Sequence, residues 1–323
     1  MPPDVLKPEP VPFVVCRDGE PVPMSLAGSV AAIGNFDGVH RGHRALIERV
    51  VATGRPATIV TFEPHPRAYF RPDDPVFRLT PEPVKLAIFA RLGLDGAFVL
   101  TFDAALAARD AASFVDLLAH DLKLAQVLIG HDFHFGRGRE GNPARMAELC
   151  RERGIICTII PAVTDRAEPV SSSTIRAALE DGRVGDANRL LGYRWFVRAE
   201  VLHGDKRGRT LGYPTANMRL PADCRLLHGI YAVRARVEER MVEGVASFGR
   251  RPTFDNGAPL LEVHLFDFSG DLYGRVLDVE FVGYVRGEAR FESAQALVAR
   301  MNQDSEEARD FLTSDRTLSM IED

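Results

Sequence analysis

At 323 residues, 46% hydrophobic and 26% charged, the chain has the composition of a soluble globular protein and length enough for two ordinary domains. A net charge of −5 argues against a general nucleic-acid binder, and no run of about 18 apolar residues offers a membrane span. Cys16, Cys150, Cys157 and Cys224 lack metal-ligand spacing and read as free thiols of a cytoplasmic chain.

Met1–Pro23 carries seven prolines and no long apolar core, which excludes a signal peptide and predicts an irregular leader over 1–24. Val30–Ile33 then reads as a buried strand, followed by the tight loop Gly34-Asn35-Phe36-Asp37-Gly38-Val39. Leu46, Ile47, Val50 and Val51 recur at helical spacing, which places His40 and His43 in the first turn of a helix and on one face. Two imidazoles beside free backbone N–H groups and the positive end of a helix dipole suit triphosphate oxygens. Half a metal site or two surface histidines are the other readings of His-x-x-His, and the glycine loop between strand and helix favours phosphate.

Strands over Ala57–Phe62, Gly96–Leu100, Gln126–Ile129 and Ile155–Ile160 follow, interleaved with helices over Pro83–Leu92, Ala111–Leu118 and Pro143–Arg153. Such alternation predicts a parallel sheet with helices on both faces and ligands at the C-terminal strand ends. Glu63-Pro64-His65-Pro66 lies at one such end, as a structural turn or as part of a pocket. Gly136-Arg137-Gly138-Arg139-Glu140-Gly141 formally fits the dinucleotide fingerprint. The preceding strand ends at Ile129, however, and His131-Asp132-Phe133-His134-Phe135 intervenes, so a flexible aromatic loop able to cover a flat ring is predicted instead. His131 and His134 lack a third ligand, which argues against a metal there. Ser171-Ser172-Ser173-Thr174-Ile175-Arg176 opens another helix. A serine N-cap is the common reading, while the consecutive hydroxyls, free N–H groups and arginine favour a second triphosphate clamp.

Past a boundary placed between Gly182 and Trp195 the pattern changes. Strands over Trp195–Leu202, Gly229–Val237, Val242–Phe248, Leu260–Phe268 and Val276–Tyr284 come without long helices, predicting an antiparallel sheet or small barrel. A closing helix over Ser293–Phe311 would dock through Leu297, Met301 and Phe311. The loop Gly204–Gly212 combines three glycines with three cations, as a hairpin tip or a phosphate cradle. Only four of the chain's 40 basic residues are lysine, which draws attention to Lys206 within it. If Tyr213–Asn217 is extended, Thr215 and Asn217 point to one side, and their hydroxyl and amide oxygens suit Mg²⁺ on a nucleotide. Neither half contains a Walker pattern. In the strand around Leu260–Phe266, Leu261, Val263 and Leu265 form the apolar face and leave Glu262 and His264 on the other.

Taken in order, Gly34–His43, Thr61–Pro66, Gly130–Asn142, Ser171–Arg176, Gly212–Asn217, Arg251-Pro252-Thr253-Phe254, Leu261–Gly274 and Phe291–Phe311 resemble the bacterial bifunctional riboflavin kinase/FMN adenylyltransferase (FAD synthetase) family over nearly the whole chain. The resemblance implies a Rossmann-like nucleotidyltransferase over 25–182 and a flavokinase β-barrel over 183–323. It implies that His40, His43, Ser172 and Arg176 contact ATP phosphates in adenylyl transfer, with Gly34, Asn35, Phe36, Ser171 and Ser173 completing that site. Asp37, His65, Pro66, Asp132 and Asn142 would line its flavin pocket. In the kinase, Gly204, Lys206, Gly208, Arg209, Gly212, Pro214, Thr215 and Asn217 would hold ATP, with Thr215 and Asn217 supporting Mg²⁺. Glu262 would take the proton of the riboflavin 5′-hydroxyl. ATP, riboflavin and FMN are the implied substrates and FAD the final product; neither nucleic acid nor membrane is expected, and self-association is left open.

Ser173 stands where many relatives carry threonine, His134 where arginine is common and Ala199 where glycine is frequent. Two other readings stay open. One is a different nucleotidyltransferase fused to an unrelated barrel, against which Gly212–Asn217 and the Glu262 strand speak. The other is a flavin-binding or regulatory protein without turnover, against which His40, His43, Arg176 and Glu262 argue.

Overall fold

A computed structural model describes residues 12–165, 168–203, 212–250 and 259–322, and its contacts divide into two units. The first comprises residues 12–76 and 81–170, the second residues 77–80 and 171–322. Ser171–Arg176, read from sequence as part of the first domain, therefore belongs by its packing to the second.

A six-stranded parallel sheet carries the first unit, made of β1 (Val14–Arg17), β2 (Val30–Ile33), β3 (Ala57–Glu63), β4 (Gly96–Thr101), β5 (Gln126–Gly130) and β6 (Ile156–Ile160). Their order across the sheet is β1–β4–β3–β2–β5–β6. Every residue of β2 is buried, as are the first six of β3, which is why these strands read as continuous apolar runs rather than alternations. Helices α1 (Arg41–Val51), α2 (Pro66–Phe70), α3 (Glu82–Arg91), α4 (Ala104–Ala108), α5 (Ala111–Asp116) and α6 (Pro143–Glu152) connect them, and a short antiparallel ladder joins β7 (Thr164–Asp165) to β8 (Glu168–Pro169). The chain leaves β2 for β3 on one side and later returns to pair β5 on the other. The crevice outside the end of β2 is thus the topological switch point, where ligands of such sheets bind. The expectation of an irregular leader is corrected at Val14–Arg17. These residues form an edge strand parallel to β4, with Val14 opposite Gly96.

In the second unit α7 (Ser172–Glu180) and α8 (Val184–Leu191) precede a closed antiparallel barrel. Its strands are β9 (Phe196–Leu202), β10 (Ala216–Arg219), β11 (Gly229–Val237), β12 (Arg240–Arg250), β13 (Pro259–Leu265) and β14 (Val276–Arg286), in the cyclic order β10–β13–β12–β11–β14–β9. Closure gives each of these strands a partner on both sides among the described residues. Leu261, Val263 and Leu265 are buried as their period-two spacing predicts. The segment Phe77–Thr80 packs here too: the Trp195 indole donates to the Leu79 carbonyl at 2.9 Å, and the Phe77 ring meets it edge-on.

The closing helix α9 (Ala294–Ser314) docks only in part as the sequence predicts. Its buried residues are Asp304, Ala308 and Leu312, whereas Leu297 and Met301 are half-buried, and Phe311, though partly exposed, lays its ring against Gly283 of β14 as expected. Asp304 anchors it through two bonds from the Arg286 guanidinium, at 2.6 and 2.7 Å, a polar contact that an apolar periodicity cannot reveal. Among the described residues no helix is long and apolar enough to cross a membrane.

A buried charge network ties the chain end to the barrel. Arg194 bonds Glu280 at 3.1 Å and Asp315 at 2.6 Å, and Ser319 donates to Glu280 at 2.6 Å. Burial pushes the Glu280 carboxyl above its ordinary pKa, with Ser319 and Arg194 opposing. Replacing Arg194 with methionine strands that carboxylate and should destabilise the unit by about 3–5 kcal/mol. The sign with pH follows from the raised pKa. An ionised Glu280 is disfavoured in the folded state, so its penalty is absent below the unfolded pKa and grows as pH rises through the folded one. Thermal melts should therefore show the Arg194→Met deficit shrinking as the pH is lowered from 8 towards 5; a deficit independent of pH would clear Glu280 of responsibility.

Candidate active site

At the switch point the loop from Gly34 to Val39 joins β2 to α1. Phe36 and Val39 take positive φ angles of 52° and 37°, left-handed conformations that side-chain-bearing residues rarely adopt. Each stores on the order of 1–3 kcal/mol of strain and persists only where packing over-determines it. Phe36 is buried, with its ring 5.1 Å from that of His43 and 5.6 Å from that of Phe89 on α3. His40 caps α1, its Nδ1 accepting the His43 backbone N–H at 3.4 Å. The two imidazoles stack, with centroids 3.6 Å apart and planes 17° from parallel. Gly42 makes room for this pair, since a Cβ there would lie 3.1 Å from the His40 ring.

Burial holds the His43 pKa well below the ordinary 6.5, and the neighbouring His40 and Lys85 lower it further. The ring is accordingly neutral at pH 7. Its Nδ1 is buried and, among the described residues, has no hydrogen-bond partner. Asp37 is buried as well, and Asn35 is half-buried beside the N-terminus of α1.

His65 and Pro66 follow β3 in the same unit. His65 caps α2 by accepting the Arg67 N–H at 3.1 Å, and Pro66 takes the first helical turn, where its missing N–H is not needed. Beyond them Tyr69 and Phe70 are exposed and meet Phe102 edge-on at 5.7 and 5.6 Å, an aromatic surface that sequence inspection did not single out. In the aromatic loop after β5, His131, Asp132 and His134 are exposed while Phe135 turns inward. Phe135 is buried against the Phe114 ring, bonds Gly141 in both directions, and stacks with Phe133 at 5.7 Å. Asp132 remains exposed on this loop, whereas the Asn142 amide oxygen accepts the Arg145 N–H at 2.9 Å as the cap of α6.

Within the second unit Ser171 caps α7, accepting the Thr174 N–H at 3.2 Å, with Ser172 half-buried and Ser173 exposed beside it. Arg176 is held by its Nε, which donates to the Phe77 carbonyl at 2.6 Å. On the barrel, Glu262 lies opposite Asn217 on β10 and opposite Ser247 on β12. Directly opposed residues of antiparallel strands share a face, so amide, carboxylate and hydroxyl converge there. Asn217 is buried, and among the described residues its Oδ1 has no hydrogen-bond partner. Pro214 is fixed alongside by His264, which donates from Nδ1 to its carbonyl at 2.9 Å, while the Tyr213 hydroxyl bonds Asn302. Gly204, Lys206, Gly208, Arg209 and the Arg251–Phe254 motif lie outside the described residues.

The family model for FAD synthetase matches residues 22–174, and that for riboflavin kinase matches residues 191–312. The bifunctional riboflavin kinase/FMN adenylyltransferase of Escherichia coli K12 is 39% identical over 290 residues, 88% of this chain and 93% of its own. This chain belongs to that family. The bifunctional riboflavin kinase/FMN adenylyltransferases of Pseudomonas fluorescens and Bacillus subtilis are 40% and 35% identical, each aligned over 87% of this chain and 92% of their own. A crystal structure from Streptococcus pneumoniae, described as a macrolide-efflux protein, superposes with a TM-score of 0.80 at 29% identity, covering 88% of this chain and 94% of that one.

For a riboflavin kinase/FMN adenylyltransferase family member, the division of features is coherent. The histidine pair and the strained loop fall within the FAD synthetase match, and Asn217 and Glu262 within the riboflavin kinase match. Lys85 is the residue that sequence reading passed over. Fully buried on α3, it lies 2.7 Å from Glu63, 2.9 Å from the Thr61 hydroxyl and 3.3 Å from the Asn35 carbonyl.

Proposed function

We propose that the chain makes FAD in two ATP-dependent steps, one in each unit. In the first, the riboflavin 5′-oxygen attacks the γ-phosphorus of ATP, giving FMN and ADP. In the second, an FMN phosphate oxygen attacks the α-phosphorus of another ATP, forming the phosphoanhydride of FAD and releasing pyrophosphate. The observation that carries this reading is the presence, in one chain of this family, of a stacked histidine pair at the switch point and of the Asn217–Glu262 face on a closed barrel.

For adenylyl transfer, FMN arrives with its nucleophile already ionised, so the protein's task is positioning and charge stabilisation. His40, His43 and the α1 N-terminus, with the backbone of Gly34, Asn35 and Phe36, stabilise the charge that grows on the ATP phosphates. Asp37, His65, Pro66 and Asp132 border the flavin, and the Tyr69–Phe70–Phe102 surface suits its planar ring. The Asn142 cap holds α6 and the end of the aromatic loop in place. Ser171, Ser172, Ser173 and Arg176 offer a further set of phosphate donors at the N-terminus of α7, within the second unit.

In the kinase, Glu262 accepts the proton that the 5′-hydroxyl sheds as its oxygen attacks, without which a primary alcohol is a poor nucleophile. Gly212, Pro214 and Thr215 adjoin ATP, and Gly204, Lys206, Gly208 and Arg209 complete its loop. The Asn217 Oδ1, without a hydrogen-bond partner among the described residues, and the Thr215 hydroxyl fit a hard cation that prefers neutral and anionic oxygen. Bound there with ATP, Mg²⁺ would neutralise phosphate charge.

Incubation with riboflavin and Mg·ATP, followed by chromatography of the flavins, should yield FMN and then FAD. Supplied FMN should give FAD and pyrophosphate in stoichiometric amounts. Binding of flavin with no new product would identify a non-catalytic flavin protein. An adenylylated product from another phosphate acceptor, with none from FMN, would identify a different nucleotidyltransferase.

A further inference from the structure

Lysine is scarce in this chain, and one of its four lysines occupies a position where lysines are seldom found, fully buried on α3. The three N–H donors of the Lys85 ammonium meet three acceptors: Glu63 Oε1 at 2.7 Å, Thr61 Oγ1 at 2.9 Å and the Asn35 carbonyl at 3.3 Å. Two of these belong to the end of β3, and the third to the loop after β2. One turn further along the same helix, the Phe89 ring packs edge-on against Phe36. Helix α3 therefore grips both Asn35 and Phe36, the latter itself one of the left-handed residues of the loop.

We propose that Lys85 is a positioning residue for adenylyl transfer: it clamps the Asn35 carbonyl to the end of β3 and so fixes the loop that aims His40, His43 and the α1 N-terminus at the ATP phosphates. The proposal rests on the reading of the first unit as the adenylyltransferase. Stability alone does not call for an ammonium here, because a buried ion pair is often replaced by apolar residues of similar size without loss. The Thr61 hydroxyl also donates to the Asn35 carbonyl, at 3.3 Å, so what an apolar residue at position 85 cannot do is donate to that carbonyl, to the Thr61 hydroxyl and to the Glu63 carboxylate at once. Arginine, which supplies nearly all the other cations, presents a flat fork rather than three divergent donors on one atom.

The test is Lys85→Met in the full chain, measured as FAD formation from supplied FMN and as FMN formation from riboflavin on one preparation. Loosening the loop should lower kcat for FAD formation by about 10²-fold, since a displacement of roughly 1 Å carries that penalty, and should leave FMN formation near wild type. Adding His43→Ala should cost little more than His43→Ala alone, because both changes disable one arrangement. If Lys85→Met fails to fold because Glu63 loses this ion pair, Glu63→Met/Lys85→Met removes the carboxylate as well. That double variant should melt near wild type and still lose FAD formation. The clamp is refuted if either folded variant keeps FAD formation within about threefold of wild type, or if the Lys85 and His43 losses multiply in full. Absence of FAD formation by the wild-type protein would instead overturn the reading of the first unit.

Discussion

Replacing His43 with alanine should slow FAD formation from supplied FMN by about 10²–10³-fold, equivalent to roughly 2.7–4 kcal/mol of transition-state stabilisation. The expectation follows from how the ring is held. It stacks on His40, packs against the edge of the buried Phe36 ring, and lies in the first turn of α1, where backbone N–H groups also point outwards. Burial and the nearby His40 and Lys85 hold its pKa well below the ordinary value, so the role proposed for it is that of a pre-oriented neutral donor rather than a free cation. Such a donor requires no reorganisation as charge moves onto the departing pyrophosphate, and its loss falls on kcat more than on ATP binding. FMN formation from riboflavin, measured on the same sample, should stay near wild type. FAD formation at the wild-type rate would reduce His43 to a packing residue of the loop, and loss of both activities would indicate misfolding.

How much of this was legible beforehand depends on whether the signal was local. The glycine loop between a buried strand and an amphipathic helix is a local pattern, and it led directly to His40 and His43. The alternation of Leu261, Val263 and Leu265 is equally local and oriented Glu262 correctly on its strand. The missed features are those decided by distant partners. Val14–Arg17 is only four residues long amid prolines, and it becomes a strand because the edge of β4 is there to receive it. Helix α9 was expected to dock through its large apolar residues, yet Asp304 faces inward because Arg286 of β14 awaits it. Phe135 looked like a loop aromatic until Phe114 and the core around it provided a place to bury it.

Lys85 is the most instructive case. The rarity of lysine drew attention to Lys206, which sits among glycines and cations, rather than to the lysine inside an ordinary helical stretch. Nothing within α3 shows that Lys85 is buried. Its meaning comes from Glu63 and Asn35, 22 and 50 residues earlier in the chain, which only the parallel pairing of β2 and β3 brings together. The same limit applies to Asn217. Its hydroxyl-and-amide spacing with Thr215 was readable, but its position opposite Glu262 depends on the barrel's register.

That register motivates the second large effect. Glu262→Gln should lower FMN formation by about 10²–10⁴-fold, the usual range when a general base is removed. Glutamine preserves the length of the side chain and its place opposite Asn217 and Ser247, so riboflavin binding should persist and the loss should appear in kcat. It cannot take the proton of the 5′-hydroxyl, and no other carboxylate lies opposite it on β10 or β12 to substitute. The same variant, given FMN, should still make FAD, because the attacking phosphate is already ionised and needs no base. This pairing separates chemistry from folding within a single preparation: a misfolded barrel would lose riboflavin binding, whereas a missing base would not. Near-normal FMN formation by Glu262→Gln would remove Glu262 from the mechanism and return it to the ordinary role of a polar residue on the outer face of a strand. Loss of riboflavin binding and of FMN formation by a variant that still melts like the wild type would assign Glu262 to holding the substrate rather than to accepting its proton.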